Sequence, residues 1–340
     1  MKRKQYTITD ISNMMQISRA SVSRALSGAP GVGDELREKI IQFANEINYQ
    51  PKSTSQTVLS KNSKIVGLIL GDIRNPFYSN LVLSIQQVLS KHDYVLSIFN
   101  SEYDVMQELK FIEIAENLHF AGLLLITAQS TIIGPKLSEI SIPKVLVNRI
   151  VPTYVGDSVL TDNFQAGYEA ALHLINLGHR EIGFIRGHDT SSAATQRYNG
   201  YLQALKNYSL PFQEDFIWQS DLRMETGRNI GAQFLELQHK PTALICINDM
   251  TSLGFLDTCR RNHFRIPEDL SLISFDDIPM SGLYGIELTT VSQHADIMGQ
   301  EAARLLLKQF HSPGAQPERI ILAPTVMIRN STQAFTLPMK

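Results

Sequence analysis

From Ile65 onward, short apolar runs alternate with longer amphipathic segments, and this rhythm restricts the possible folds more than any other feature of the 340-residue sequence. The runs Ile65–Leu70, Tyr94–Phe99, Gly122–Ile126 and Lys144–Val147 read as strands, with helices over Phe77–Lys91 and Met106–Asn117. A second series follows, with strands at Ser158–Thr161, Ile182–Ile185, Phe216–Trp218, Ala243–Ile247 and Leu270–Phe275. Its helices cover Phe164–Leu177, Ala194–Lys206, Thr226–Leu237 and Met250–Asn262. Alternating βα units of this length demand parallel sheets with helices on both faces. Two series predict two similar lobes. Thr289 to Arg329 adds one strand, a helix over Ala295–Phe310 and two strand-like runs, so the chain is expected to cross between lobes more than once.

Ahead of this core the period changes. Thr7 precedes an apolar-periodic segment and Asp10 lies three residues on, which supplies an N-cap and an acidic first turn. Ile8, Ile11 and Met15 share one face. After Gln16-Ile17, Ser18 caps a second helix with Val22 and Leu26 inward, leaving Arg19, Ala20, Ser21, Ser23 and Arg24 outward. Arginine forks match the guanine O6/N7 edge, serines reach phosphates, and small residues allow close approach, so this face suits a DNA major groove. Taken alone, it fits a plain surface hairpin equally well. A third helix starts near Asp34, after Gly31-Val32-Gly33, buries Ile40, Phe43, Ala44 and Ile47, and stops before Tyr49-Gln50-Pro51. The stretch Lys52–Lys64 is polar and poorly periodic. It reads as a linker, flexible or folding only when bound.

Charge separates the same two regions. Residues 1–64 hold ten Lys/Arg and five Asp/Glu, and the remainder holds 21 and 28. A basic head on an acidic body is the distribution of a DNA-binding module joined to something else. No apolar run is long enough to span a bilayer and the N-terminus has no apolar signal region, so a cytoplasmic protein is expected. Cys246 and Cys259 sit in apolar surroundings with no partner at ligand spacing, which makes them reduced core residues, and the nine histidines form no metal-ligand group. The chain has no GxGxxG after a strand, no GxxxxGK[ST], no GxSxG and no HExxH. No catalytic residue, metal or cofactor is therefore assigned. Asp276-Asp277 makes a weak catalytic pair because neighbours at a strand end point apart, and His179, after Gly178, reads as a cap or packing residue.

The stretches ISRASVSRALSG, REKI, NYQP, DIRNPFY, LINLGHREIGFIRG, QRYNGYLQAL, PTALICINDMTSLG, IPEDLSLISFDD, LTTVSQ, EAARLLL and IRNST occur in this order over roughly residues 7–332. Together they resemble the LacI/GalR family of bacterial transcription regulators. The resemblance implies a small all-α helix-turn-helix headpiece, a hinge helix, and an α/β core of two doubly wound parallel-sheet lobes like periplasmic sugar-binding proteins. It further implies a homodimer on a pseudo-palindromic double-stranded operator, controlled by a small-molecule effector. By position, the headpiece covers 1–51, the hinge 52–64 and the core 65–340. The first lobe takes about 65–161 plus 293–322, and the second about 162–291 plus 323–332. Arg19, Ala20 and Arg24 would contact bases, while Thr7, Ser18, Ser21 and Ser23 would contact phosphates or brace the helix. Capping and local backbone bonding fit the serines as well as DNA contact does.

Two departures from the family stand out. Ser12 and Gln16 occupy positions where the family carries Ala and Gly, and a non-glycine at positive φ costs roughly 1 kcal/mol. In the hinge, Ser55, Gln56 and Val58 replace the usual Ala, Arg and Leu, the Leu being a wedge inserted into the operator's minor groove. Either Val58 wedges less deeply or the hinge turns to use Leu59.

An effector of a two-lobed core lies where loops converge at strand C-terminal ends. Polar or aromatic residues just beyond strands are Phe77, Tyr78, Asn148, Arg149, Asn248, Asp249, Asp276 and Asp277, with Arg197 in QRYNGY. The family match singles out Asn148, Arg197, Asn248 and Asp276 for effector hydroxyls and Phe77 and Tyr78 as aromatic walls. Leu222 stands at a frequently aromatic position, so one stacking wall is expected to be missing, and Trp218 reads as core. Asp249 and Asp277 fit helix caps as well as ligand contacts. Arg and carboxylate groups beside an apolar wall suit a monosaccharide, disaccharide or sugar acid, with a purine as the second choice. The expected role is a repressor of a carbohydrate uptake or catabolism operon. A transport-associated sugar-binding protein would need export and no basic head, and an α/β enzyme lacks every motif sought. The tail TQAFTLPMK shows no heptad, so no coiled-coil tetramer is expected.

Overall fold

The computed structural model describes residues 6–47, 49, 63–126 and 130–336. Ser55, Gln56, Val58 and Leu59, and with them the hinge wedge, lie outside the described residues. The chain divides into two compact units, 1–62 and 63–340.

The first unit is three helices: α1 (Ile8–Met15), α2 (Arg19–Ser27) and α3 (Asp34–Glu46). Thr7 Oγ1 accepts from Asp10 N at 3.2 Å while the Asp10 carboxylate accepts from Thr7 N at 2.7 Å, a reciprocal capping box. Ser18 caps α2 by accepting from Ser21 N. Between the helices Gln16 adopts φ 55°, the left-handed conformation expected there, and Ser12 Oγ donates to Ile17 O at 2.7 Å, pinning the turn. Ile11, Val22, Ala25, Ile40 and Ala44 form the buried centre, with Ile8, Met15, Leu26, Phe43 and Ile47 packed around it.

The second unit holds two six-stranded sheets. The first is built from β1 (Ile65–Leu70), β2 (Val95–Asn100), β3 (Gly122–Leu125), β4 (Lys144–Val147), β5 (Ser158–Thr161) and β11 (Arg319–Leu322), in the order β11-β5-β4-β3-β1-β2. The second contains β6 (Ile182–Arg186), β7 (Ile217–Gln219), β8 (Ala243–Cys246), β9 (Ser271–Asp276), β10 (Thr289–Ser292) and β12 (Thr325–Met327), in the order β12-β10-β9-β8-β6-β7. The main helices between them are α4 (Pro76–Ser90), α5 (Val105–Asn117), α6 (Ser130–Glu139), α7 (Asn163–Asn176), α8 (Ser192–Asn207), α9 (Met224–Glu236), α10 (Asp249–Arg261) and α11 (Ala295–His311).

Ser158–Thr161, which opens the second series in sequence and falls in the first lobe by the family likeness, pairs in parallel with β4 and β11 of the first sheet. Two details differ from the sequence reading. The second sheet is not wholly parallel, since β12 runs antiparallel to β10. Helix α6 forms although Gly134-Pro135 interrupts its pattern; fully buried Ile133 and Leu137 hold it against the first sheet.

The chain passes from the first sheet to the second after β5, returns after β10, and crosses again after β11. Helix α11 accordingly packs Met298, Ala302 and Leu305 with Leu81 and Ile85 of α4. In the first sheet β1 lies between β3 and β2, and in the second β6 lies between β8 and β7. Successive crossovers leave in opposite directions at those strands, which opens a crevice at their C-terminal ends.

Candidate functional site

One cleft collects the loops that follow strands of both sheets. It is lined by Asn75, Phe77 and Tyr78 after β1, Tyr103 after β2, and Asn148 and Arg149 after β4. The second lobe supplies Ser191, Ala194 and Arg197 around the start of α8, Leu222 after β7, Asn248 after β8 and Asp276 at the end of β9, with Gln293 after β10. Phe77 and Tyr78 are buried and meet edge to face, their centroids 5.4 Å apart.

At the back of the cleft a buried polar network joins the lobes. Arg197 donates from Nε to Asn163 Oδ1 at 2.9 Å and from Nη1 to Ile247 O at 2.8 Å. Its guanidinium lies 4.5 Å from the Phe275 ring and 3.9 Å from the Asp276 carboxylate. Asp276 accepts from Asn75 Nδ2 at 3.4 Å and from Gln293 Nε2, while Gln293 accepts from Asn148 Nδ2 at 2.7 Å. Burial pushes the Asp276 carboxyl up to about 7, outweighing the attraction of Arg197. Burial also pulls Arg197 down to about 10 despite Asp276. Both shifts point the same way: the interior disfavours charge at this pair, and at 3.9 Å the two groups do not fully compensate one another.

Backbone geometry places these groups. Helices α7 and α8 cross so closely that a Cβ on Gly167 would lie 1.9 Å from the Arg197 carbonyl oxygen, which pins the arginine's helix against its neighbour. Asn148, Leu222 and Asp276 all hold positive φ, at 52°, 72° and 113°. Non-glycine residues in that region are strained and need the surrounding fold to hold them there.

Other candidates turn away or are already engaged. Asn248, not Asp249, caps α10: its Oδ1 accepts from Thr251 N and its Nδ2 donates to Leu222 O, both at 3.0 Å. Asp249 is fully buried and accepts from Ile278 N, Ser281 Oγ and Thr290 Oγ1, so it braces the second lobe, its carboxyl raised by burial to about 6. Asp277 pairs with Arg329 at 2.6 Å, so the two adjacent aspartates do point apart. His179 is buried between Thr242, Ser271 and the Gln333 carbonyl, a packing residue. Cys246 and Cys259 are free and buried. Among the described residues no His, Cys, Asp and Glu group could hold a metal ion, and no helix is long and apolar enough to cross a membrane.

Four polar lining residues escaped the sequence reading, Asn75, Tyr103, Ser191 and Gln293, along with the apolar Ala193, Ala194 and Ile247. Tyr103 and Gln293 lie just beyond β2 and β10, so the rule applied to the other strands finds both. Asn75 and Ser191 carry a different signal, that of a helix N-cap. Across the mouth, Arg223 of the second lobe stands 3.4 Å from Asp72 and 3.6 Å from Glu102 of the first. Burial alone would raise the Asp72 carboxyl, but hydrogen bonds from Arg74 and the charges of Arg74 and Arg223 hold it below the usual carboxylate range.

In the head, Arg19, Ala20, Ser23 and Arg24 are exposed on one face of α2. Ser21 is not: it is half-buried, its hydroxyl 2.9 Å from that of Ser18, because both belong to the cap. Thr7 Oγ1 is likewise committed to Asp10. Gly31, at φ 101°, brings its backbone under Arg24, and a Cβ there would meet Arg24 Nη1 at 3.4 Å.

Residues 7–52 match the bacterial regulatory proteins, lacI family, and residues 171–332 match the periplasmic binding protein-like domain. The chain is 30% identical over 330 residues to the HTH-type transcriptional repressor CytR of Escherichia coli, covering 97% of each. It is 29% identical over 326 residues to the ribose operon repressor of Haemophilus influenzae, covering 96% of this chain and 98% of the relative. Among solved structures it is similar to a LacI family transcriptional regulator from Enterococcus faecium with bound ribose. The TM-score is 0.72 at 28% identity, over 80% of this chain and 100% of that one. The transcriptional regulator CelR–cellobiose complex matches with a TM-score of 0.72 at 25% identity, over 96% of this chain and 100% of that one.

Proposed function

This chain belongs to the LacI family of bacterial transcription regulators, and on that premise we propose that it is a homodimeric, effector-controlled repressor of a carbohydrate uptake or catabolism operon. The observation that carries the reading is the joining, in one chain, of an exposed Arg19-Ala20-Ser23-Arg24 face to a cleft bridged by Asn148, Arg197 and Asp276. Arg19, Ala20 and Arg24 read base edges, Ser23 reaches phosphate, and Thr7, Ser18 and Ser21 brace the helix ends. A dimer's two heads then read two half-sites related by a two-fold axis. Residues 52–64 are assigned to the hinge between head and core.

In the cleft, Asn148, Arg197 and Asp276 pair with effector hydroxyls while Phe77, Tyr78 and Leu222 cover its apolar face, and Asn248 shapes the floor through its cap. Sugars fit this mix of paired polar groups and flat apolar wall, and ribose and cellobiose occupy two related regulators. The effector acts by favouring one arrangement of the two lobes, and its differential affinity for those arrangements sets operator affinity.

Selection of binding sites from a random duplex library tests the reading, using full-length protein at stated salt with and without mixed sugars. An inverted repeat of about 14–20 base pairs is expected, its recovery changed by the sugars. Failure to enrich any sequence in either arm overturns the operator reading. Enrichment that no sugar alters but a purine does overturns the sugar assignment.

A further inference from the structure

Arg149 is the one arginine of the cleft without a counterion. Its side chain lines the pocket and is about nine-tenths buried. Nη1 donates to its neighbour's carbonyl, Asn148 O, at 2.7 Å, and Nε is buried without any partner. Among the described residues Arg149 makes no ion pair: Asp276 stands against Arg197, and Asp72 is held by Arg74 and Arg223. None of the undescribed residues is acidic, so the chain holds no unseen side-chain counterion for it. Leaving a guanidinium desolvated and unpaired is among the most expensive arrangements a fold can contain.

A second feature faces the same space. Helix α8 starts at the cleft: Ser191 caps it, Ser191, Ala193 and Ala194 line the pocket, and Ile150 N donates to Ser192 Oγ at 3.0 Å, which ties the Arg149 loop to the first turn. First-turn amides lack intrahelical acceptors and carry the positive end of the helix dipole. Tyr78 and Tyr103, whose hydroxyls share a hydrogen bond, line the same cleft, and the His188 ring, whose buried Nε2 has no partner, lies 5.2 Å from that of Tyr103.

We propose that the effector carries an oxyanion, a carboxylate or phosphate on a polyhydroxylated body, seated between the Arg149 guanidinium and the first turn of α8. This rests on the effector reading of the cleft and narrows it from sugars in general to acidic ones. Asn148, Arg197 and Asp276 hold the hydroxyls, and Arg149 supplies the charge that a neutral sugar leaves uncompensated.

Titration calorimetry of the full-length protein tests it, with glucose and ribose as neutral probes, gluconate and glucuronate as carboxylates, and glucose 6-phosphate and ribose 5-phosphate as phosphates. An acidic probe is expected to bind about ten- to a hundredfold more tightly than its neutral parent. The stronger of the two acidic arms identifies the anion. Arg149→Met is expected to erase most of that preference and Arg149→Lys, which keeps charge but not the fork, to retain part of it. Independently, Arg149→Met is expected to raise the melting temperature of the ligand-free protein, because an unpaired buried cation is removed. A neutral probe binding as tightly as its acidic partners overturns the inference and leaves the effector reading standing. So does a lowered melting temperature in Arg149→Met, which marks a structural arginine. Absence of binding by every probe overturns the effector reading and the inference with it.

Discussion

The head and the cleft solve the same problem, how to satisfy polar side chains, over opposite distances along the chain. In the head the hydroxyls find partners three to five residues away: Thr7 with Asp10, Ser12 with Ile17, Ser18 with Ser21. In the cleft the separations are 34 residues for Arg197 with Asn163, 145 for Asn148 with Gln293 and 201 for Asn75 with Asp276. Local satisfaction leaves Arg19, Ala20 and Ser23 exposed on the outer face of α2. Long-range satisfaction makes the cleft part of the core's own stability, so its polar groups cannot change without consequences for the fold.

The sharpest way to break this contrast is Arg197→Ala. Removing that guanidinium leaves Asn163, Ile247 O and the Asp276 carboxylate without their partner, so unfolding by urea should show a loss on the order of 3–5 kcal/mol. Trp218, the chain's single tryptophan, reports the second lobe. A loss below about 1 kcal/mol, the scale of a single exposed pair, would remove the network from the core's stability.

Asp276 gives the next effect, through pH. Its folded-state carboxyl titrates near 7, above the ordinary value near 4. Between those limits the folded chain keeps a proton that the unfolded chain releases, so its contribution is full below about pH 4 and is lost as pH rises through 7. Asp276→Asn should flatten the fall by on the order of 2–4 kcal/mol across that window. Asp249, near 6, retains a smaller slope of the same sign below it. Parallel stability–pH curves for wild type and variant would contradict the assignment.

In the head, Arg24→Ala should weaken specific operator binding by about 1–3 kcal/mol at fixed salt while leaving the urea midpoint of the core unchanged. If affinity for a scrambled duplex drops equally, Arg24 contacts phosphate rather than base. The smallest effect concerns Gln16, held at φ 55°. Gln16→Gly relieves that strain and should raise head stability by about 1 kcal/mol or less, measured by thermal melting followed at helical circular dichroism wavelengths.

Much of the molecule could be read directly from the residues, and the contrast explains which part. Thr7, Ser18, Ile11 and Val22 announce the head because caps and 3.6-residue periods are local signals. Inner strands such as Ile65–Leu70, Gly122–Leu125 and Ala243–Cys246 announce themselves because both faces of a parallel sheet are covered there and their apolar runs are unbroken. Among cleft residues, Phe77, Tyr78, Asn148, Arg197 and Asp276 follow from a positional rule about strand ends and from family likeness. Nothing local marks Gln293 as the link between Asn148 and Asp276.

The sequence by itself determined the three-helix head, the alternation that makes two doubly wound sheets, and the charge asymmetry between them, because each is written in neighbours a few residues apart. Only the tertiary structure decided that β12 runs antiparallel to β10, that Asn248 rather than Asp249 caps α10, and that Ser21 turns toward its cap. It alone left Arg149 without a counterion while Arg197 faces Asp276. These outcomes depend on which strand ends meet across the two lobes, and the free energy of a buried charge is set by every group around it, most of them distant in the chain.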